Sequence, residues 1–255
     1  MSLVSIIMPA YNAEHTLSEA VDSVLAQTWL NWELLLVVDK NSSDRTQAIA
    51  TSYASRDARV KTVSGLPQGG CVYNRNQAIQ RASGSFLAFL DSDDLWLPEK
   101  LERQLAFMER TGCDLSYAGY AQMNWTGQRL PHVVTPPPRL TYDDLLNDNL
   151  LGCLTAMIRR SRFPDIHFEE HLHEDFILWL RLLRQTDAQG LPDTLAVYRQ
   201  AAHSRSGNKV KAALARWRIL RHYEKLPLIK ALPCFSRYAL GALQKRKPSA
   251  VVESP

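Results

Sequence analysis

Three acids in four residues, Asp91, Asp93 and Asp94, follow directly on the apolar run Phe86 to Leu90. Carboxylates crowded in this way repel one another unless a cation or a solvated turn relieves them, and an oxygen-only donor set suits Mg²⁺ or Mn²⁺. A polar turn capping the next helix, with Pro98 near its first turn, accounts for the same residues equally well. A second acidic pair, Glu174 and Asp175, opens an apolar helical run that ends near Leu183. Acids in a first turn complement the helix dipole, and a carboxylate at the mouth of a site can also take a proton from an attacking hydroxyl. Arg75 is an additional positive group for phosphates beside such a cation, and Asp39 ends another apolar run.

These side chains need a scaffold that gathers them, and the hydrophobic pattern supplies one. Leu3 to Met8 reads as a buried strand, and Leu17, Ala20, Val21, Val24 and Leu25 recur at helical spacing. Trp32 to Val38 is a second strand, with N-cap residues Asn41 to Asp44 opening a helix through Ala54. Val60 to Val63, a helix over Val72 to Arg81 and the strand Phe86 to Leu90 continue the alternation. The expected fold class is α/β: a mostly parallel, Rossmann-like central sheet flanked by helices, with the loops of successive units at one edge. Pro9 to Asn12, Asp39 to Asp44, Gly69-Gly70 and Asp91 to Asp94 then share the carboxyl edge, where such sheets bind nucleotides. No GxGxxG follows the first strand and no GxxxxGK[ST] occurs, so dinucleotide binding and P-loop chemistry lose support.

The second half changes texture. A helix over Pro98 to Arg110 is followed by strands at Asp114 to Met123 and Leu130 to Val134 around an Asn124 to Gln128 turn. Cys153 to Ile158 reads as a buried strand, His173 to Leu183 as a helix, Leu195 to Tyr198 as a last strand, and Arg199 to Asn208 as a polar loop. Asp94 reads as the start of the helix after the acidic turn.

The net charge of +4 conceals an asymmetry, because residues 209 to 247 carry eleven Lys and Arg against Glu224 alone, or +10, leaving −6 for the rest. This basic helical tail is a solvated face or a surface for an anionic membrane or nucleic acid, with Leu226, Ile229, Leu232, Phe235 and Leu240 as its apolar positions. Pro227 and Pro233 are expected to interrupt it. Four dispersed cysteines without a CxxC pair suggest neither a zinc site nor a disulfide framework, and a reduced, cytoplasmic setting fits them. The apolar start lacks a basic leader and is cut by Pro9, so it reads as a strand.

In the order and spacing of these segments the chain resembles the inverting, non-processive family 2 glycosyltransferases of the GT-A fold. Val4 to Asn12 is similar to that family's opening strand and turn, and Val37 to Thr46 to its second-strand motif, with Lys40 and Asn41 where an acid and a glycine are usual. Asn74-Arg75-Asn76 and Gly84 to Asp94 resemble its central block, ending in a DxD motif as Asp91-Ser92-Asp93. Glu174-Asp175 resembles its base motif, and Tyr198-Arg199 with Ser206 its closing loop.

The resemblance implies transfer of one sugar from a nucleoside-diphosphate sugar, UDP-linked by preference, to a hydroxyl of a saccharide or lipid-linked saccharide in surface polysaccharide synthesis. It implies nucleotide contacts from Pro9, Ala10, Tyr11, Asp39, Arg75 and Asp91, a Mn²⁺ or Mg²⁺ ion on Asp93 with Asp91 as a second candidate ligand, and Asp175 as catalytic base. His203 lies near the place of a metal-binding histidine in some relatives, although Ala201 occupies the aligned position. Arg216-Trp217 is preceded by Ala213 where processive relatives carry Gln, so long-chain polymerisation is disfavoured. The implied organisation is a catalytic domain over 1–208, with a nucleotide half at 1–98 and an acceptor half at 99–208, and a basic extension over 209–255. No nucleic-acid partner is expected, and the basic tail is the surface available for peripheral membrane association, with a solvated face as its alternative. A non-catalytic nucleotide-sugar-binding subunit and a nucleotidyltransferase are the alternatives.

Overall fold

The computed structural model describes residues 2–66, 69–200 and 209–244. Strands β1 (Val4–Ala10), β2 (Trp32–Val38), β3 (Val60–Ser64) and β4 (Phe86–Phe89) alternate with helices α1 (Leu17–Leu25), α2 (Thr46–Arg56) and α3 (Cys71–Arg81). They pair in parallel in the order β3-β2-β1-β4, with Ile6 opposite both Leu34 and Ala88. Side chains alternate across this sheet. Ile6, Met8, Leu34, Leu36 and Ala88 enter one core, while Ile7, Leu35, Val37, Leu87 and Phe89 enter the other, so the strands bury both faces and read as continuous apolar runs.

Past the acidic turn come the two-residue strand β5 (Leu95–Trp96), α4 (Lys100–Thr111), β6 (Leu115–Met123), β7 (Arg129–Val134), β8 (Arg139–Leu140) and α5 (Tyr142–Asn147). After them follow β9 (Met157–Arg159), α6 (Glu174–Leu183) and β10 (Ala188–Arg199). The sheet continues β4-β9-β6-β10-β5, antiparallel at β4-β9, β9-β6 and β10-β5 and parallel at β6-β10. Parallel pairing thus dominates the first half, and the second half is mixed.

Several boundaries differ from the sequence expectation. Cys153 to Thr155 forms a 3₁₀ turn, and only Met157 to Arg159 pairs as a strand, because β9 needs just three residues to bridge β4 and β6. β10 begins seven residues before the expected strand, absorbing its polar stretch with register shifts between Leu191 and Ala196. β5, β8 and α5 went unread: two-residue strands carry no periodicity, and α5 is a six-residue helix announced only by its Thr141 and Asp144 capping box. Asp94 does not start a helix, since β5 intervenes before α4.

The tail folds onto the domain. α7 (Lys209–Arg218) runs into a π-helical turn (Ile219–Tyr223) and then α8 (Leu228–Gln244). Ile219, Leu220, Leu226 and Ala231 join the core that holds α6, with Trp217 and Phe235 packed against it. Leu226 and Phe235 therefore face inward, unlike Ile229, Leu232 and Leu240. α8 also continues through Pro233. The proline removes a donor to the carbonyl four residues earlier, at the exposed Ile229, where water can replace it. The guanidinium of buried Arg216 lies 3.5 Å from the ring centroid of Phe176 and donates to the carbonyls of Leu145 and Leu146. No helix of the described residues is long and apolar enough to cross a membrane, and all four cysteines are free thiols.

One buried charge stands apart from the site. Lys100 is fully buried, its ammonium 3.9 Å from the centroid of the Trp96 ring and without a hydrogen-bond partner. Burial lowers its pKa to about 7. The unfolded chain, with an ordinary amine near 10.5, binds more protons between those values, so stability rises with pH across that window. Lys100→Met keeps the stem and removes the charge. Thermal melts are expected to show a gain of several degrees at about neutral pH, reduced by the lost ring contact, that shrinks as pH approaches about 10.

Candidate active site

The carboxyl ends of β1, β2 and β4 place the candidate nucleotide residues side by side. Ala10 pairs with Val38, and its carbonyl accepts the Asp39 N–H at 2.8 Å. Pro9 and Ala10 are buried at the end of β1, whereas Tyr11, next along the chain, is 58% exposed and free to cover a flat ligand. Asp39 is nearly enclosed. It accepts from the Asn41 N–H at 2.9 Å, from the Asn74 amide at 2.9 Å and from the Gly70 N–H. Burial alone would raise its pKa, but these donors outweigh burial and hold it below the usual carboxylate range. The loop approaches so closely because it is glycine: a Cβ on Gly69, at φ 64°, would sit 2.3 Å from the Asn41 amide nitrogen.

One helical position away from Asn74, Arg75 turns to the acidic turn. Its guanidinium, 3% exposed, donates to Asp91 at 2.6 Å and to Glu174 at 3.0 Å. A single cation therefore joins the end of β4 to the start of α6. The adjacent Asp175 is half-buried and accepts the Phe176 N–H at 2.7 Å. Burial, reinforced by Glu174, raises its pKa, the direction a general base requires.

The rest of the acidic turn has its own cation. Arg199, at the end of β10, donates through Nε to the Asp93 carbonyl at 2.8 Å, through Nη1 to the Trp125 carbonyl at 3.1 Å and through Nη2 to Glu19 at 2.6 Å. Its backbone N–H donates to the Asp94 carboxyl at 2.8 Å. Asp94 is buried, and burial together with Asp93 and Asp91 pushes its pKa well above the usual carboxylate range. Its carboxyl joins the acidic turn to β10, and the direction of the shift favours its protonated form. Burial and Asp91 push Asp93 up to about 6.

The donor set tests whether a cation fits. Among the described residues, no three His, Cys, Asp or Glu side chains converge as a ready-made cage. Asp91 and Asp93 instead offer two carboxylates at one turn, and the raised Asp93 marks the uncompensated negative charge there. One or two carboxylates completed by substrate phosphates is the usual protein contribution to a Mg²⁺ site, so the residues present fit. His203 and Ser206 lie outside the described residues.

The structure thus brings Pro9, Ala10, Tyr11, Asp39, Arg75, Asp91, Asp93 and Asp175 to one edge. Sequence reasoning missed Asn41 and Asn74 as the holders of Asp39, Glu174 as the second partner of Arg75, and Arg199 as the bracket of the acidic turn. The signal for Arg199 was present: an acidic knot needs cations, and a strand ending in arginine is a candidate source.

Comparison with known proteins finds relatives of the chain. Residues 5–168 match the family model described as Glycosyl transferase family 2. The chain is 41% identical over 246 residues to TuaG of Bacillus subtilis (strain 168), a glycosyltransferase named for teichuronic acid biosynthesis, covering 96% of this chain and 97% of TuaG. It is 37% identical over 241 residues to WfgD of Escherichia coli, covering 94% of this chain and 93% of that protein, which is named as a UDP-Glc:alpha-D-GlcNAc-diphosphoundecaprenol beta-1,3-glucosyltransferase. Among solved structures, S. aureus TarS 1-349 in complex with UDP-GlcNAc superposes with a TM-score of 0.68 at 23% identity, covering 82% of this chain and 61% of that one. The mannosyltransferase PcManGT of Pyrobaculum calidifontis, in complex with GDP-Man and Mn²⁺, gives 0.68 at 15% identity, covering 96% and 76%. At these identities the two structures establish the shared GT-A fold.

The bracket makes a prediction about Asp94. If its carboxyl is neutral, Asp94→Asn preserves both shape and the acceptor for Arg199 and shifts stability in urea by less than about 0.5 kcal/mol. Asp94→Ala leaves that N–H unpaired and costs about 1–3 kcal/mol. Equal losses for the two variants would show that the charge itself is required.

Proposed function

The chain belongs to glycosyl transferase family 2, and from that premise we propose that it moves one sugar from a UDP-sugar to a hydroxyl of a saccharide carried on a lipid diphosphate, with inversion. The observation that carries this reading is the Arg75 guanidinium bound to Asp91 and Glu174 at once, because it ties a nucleotide-side acid to the turn that carries a base. The UDP-glucose donor and diphosphoundecaprenol acceptor in the name of WfgD, and the UDP-GlcNAc complex of TarS, support the choice of substrates. The name of TuaG supports a role in a surface polysaccharide. In this reading residues 1–98 bind the nucleotide, 99–208 bind the acceptor, 209–255 form an extension, and the protein acts on the cytoplasmic side.

The site residues divide the work. Asp39, kept ionised by its donors, accepts a hydrogen bond from the uracil N–H, and Ala10 and Tyr11 border the base while Pro9 sets their approach. Asp91 meets the ribose. Asp93, with Asp91, would hold a Mn²⁺ or Mg²⁺ ion, which when bound supplies positive charge to the departing diphosphate. Asp175 accepts the proton of the acceptor hydroxyl as its oxygen bonds to the anomeric carbon from the side opposite UDP. The bond from that carbon to the diphosphate breaks, and its electron pair leaves with UDP. One displacement by one base inverts the carbon.

The test begins with UDP-sugars screened by thermal shift with and without Mn²⁺, since a ligand of the folded state raises its stability by RT ln(1 + [L]/Kd). UDP-glucose is expected to raise the midpoint more with the metal than without it, and Asp93→Ala to abolish that metal-dependent increment. Asp175→Asn is expected to keep the donor shift while lowering turnover by roughly 10²–10⁴. Turnover within a few-fold of the parent would remove Asp175 from the mechanism.

A further inference from the structure

Seven of the fourteen large hydrophobic side chains exposed among the described residues lie between residues 209 and 244. Four are on α8: Leu228 is 55% exposed, Ile229 82%, Leu232 53% and Leu240 58%. At 100° per residue they fall within one third of the helical circumference. The far side of the helix is also apolar, with buried Ala231 and half-buried Cys234 in or against the core, and half-buried Phe235 packs against that core from the edge of the exposed stripe. A helix apolar on two faces has one partner in the fold and needs another. α8 is moreover no loose tether. Phe235 stacks edgewise on Trp217, Arg237 donates to Asn147 at 3.1 Å, and Tyr238 and Phe176 both lie against the Arg216 guanidinium.

Charge identifies the partner. Residues 225 to 247 contain Lys225, Lys230, Arg237, Lys245, Arg246 and Lys247 and no acid. A second copy of this face would bring like charges together around its apolar stripe. An anionic surface meets both features: long side chains enter the acyl boundary while basic groups remain among headgroups. We propose that the outer face of α8 docks the protein on an anionic lipid bilayer. Through Arg216 this face is fixed to α6, the helix that begins at Glu174-Asp175, so docking would also set the orientation of the candidate active site to the membrane. The proposal rests on the surface of α8 and stands whether or not the donor and acceptor assignments hold.

The experiment is flotation of the full chain with vesicles of equal parts phosphatidylglycerol and phosphatidylcholine, and with phosphatidylcholine alone. Binding to the anionic vesicles, weakened by salt, is expected. Ile229→Glu with Leu232→Glu should reduce it at least about tenfold. The same pair should leave the thermal midpoint and any UDP-sugar shift unchanged, which separates this proposal from the enzymatic reading. Lys225→Gln with Lys230→Gln, conservative in bulk, should weaken binding to anionic vesicles alone. Failure of the parent protein to float overturns the proposal, as does equal flotation of the Glu variant. Light scattering that shows a dimer abolished by the Glu pair would assign the face to a second copy instead and also overturn it.

Discussion

A guanidinium that cannot reach water must be matched by the structure around it, and Arg75 is matched twice. Glu174 is as buried as the arginine, whereas Asp91 is partly open, so the two pairs differ in kind. Removing a partner from a buried pair costs about 3–5 kcal/mol, while a pair with a solvent-facing carboxylate is screened and worth less. The inner contact therefore anchors α3 to α6, and the outer contact leaves Asp91 poised at the surface of the cleft. The two acids lie 83 positions apart in sequence, on separate sides of the β4-β9 junction where the sheet changes from parallel to mixed pairing.

Arg199 does comparable work across the acidic turn. It reaches α1 through Glu19, the Asp93 backbone, and the β6-β7 hairpin through the Trp125 carbonyl. Two cations, one on each flank, thus leave Asp93 and Asp94 incompletely neutralised, and each adopts a different resolution. Asp94 withdraws into the protein, where it accepts the Arg199 N–H. Asp93 remains half-buried, with charge still to be compensated.

The parallel half of the fold was legible because its strands are apolar on both faces and its helices carry a helical stripe. The site residues at strand ends followed from topology: once β1, β2 and β4 are parallel, Ala10, Asp39 and Asp91 must share an edge. What did not show was anything held by pairing across long sequence separations. β5 exists because β10 offers it an edge, and Cys153 to Thr155 turns because α4 and β6 fill the space around it with Gln104 and Ser116, whose side chains meet at 2.9 Å while Gln104 also donates to the Thr155 carbonyl. Similarly, Asp94 has the local pattern of a helix start, but it accepts the Arg199 N–H from 105 residues away. The tail is helical over its described residues, 209–244, but which of its apolar residues face inward depends on Arg216 and Trp217, whose roles no local pattern announces.

The account depends on Arg75 holding the nucleotide side and the base side as one unit, and a double-mutant cycle between Asp91→Asn and Glu174→Gln tests that most directly. Both side chains bind the same guanidinium. Either variant alone leaves Arg75 one carboxylate; together they leave a buried cation with none of its two partners. Chemical denaturation of the four proteins is predicted to find the double variant less stable than the sum of the single losses by more than about 0.5 kcal/mol. Additive losses would contradict the account.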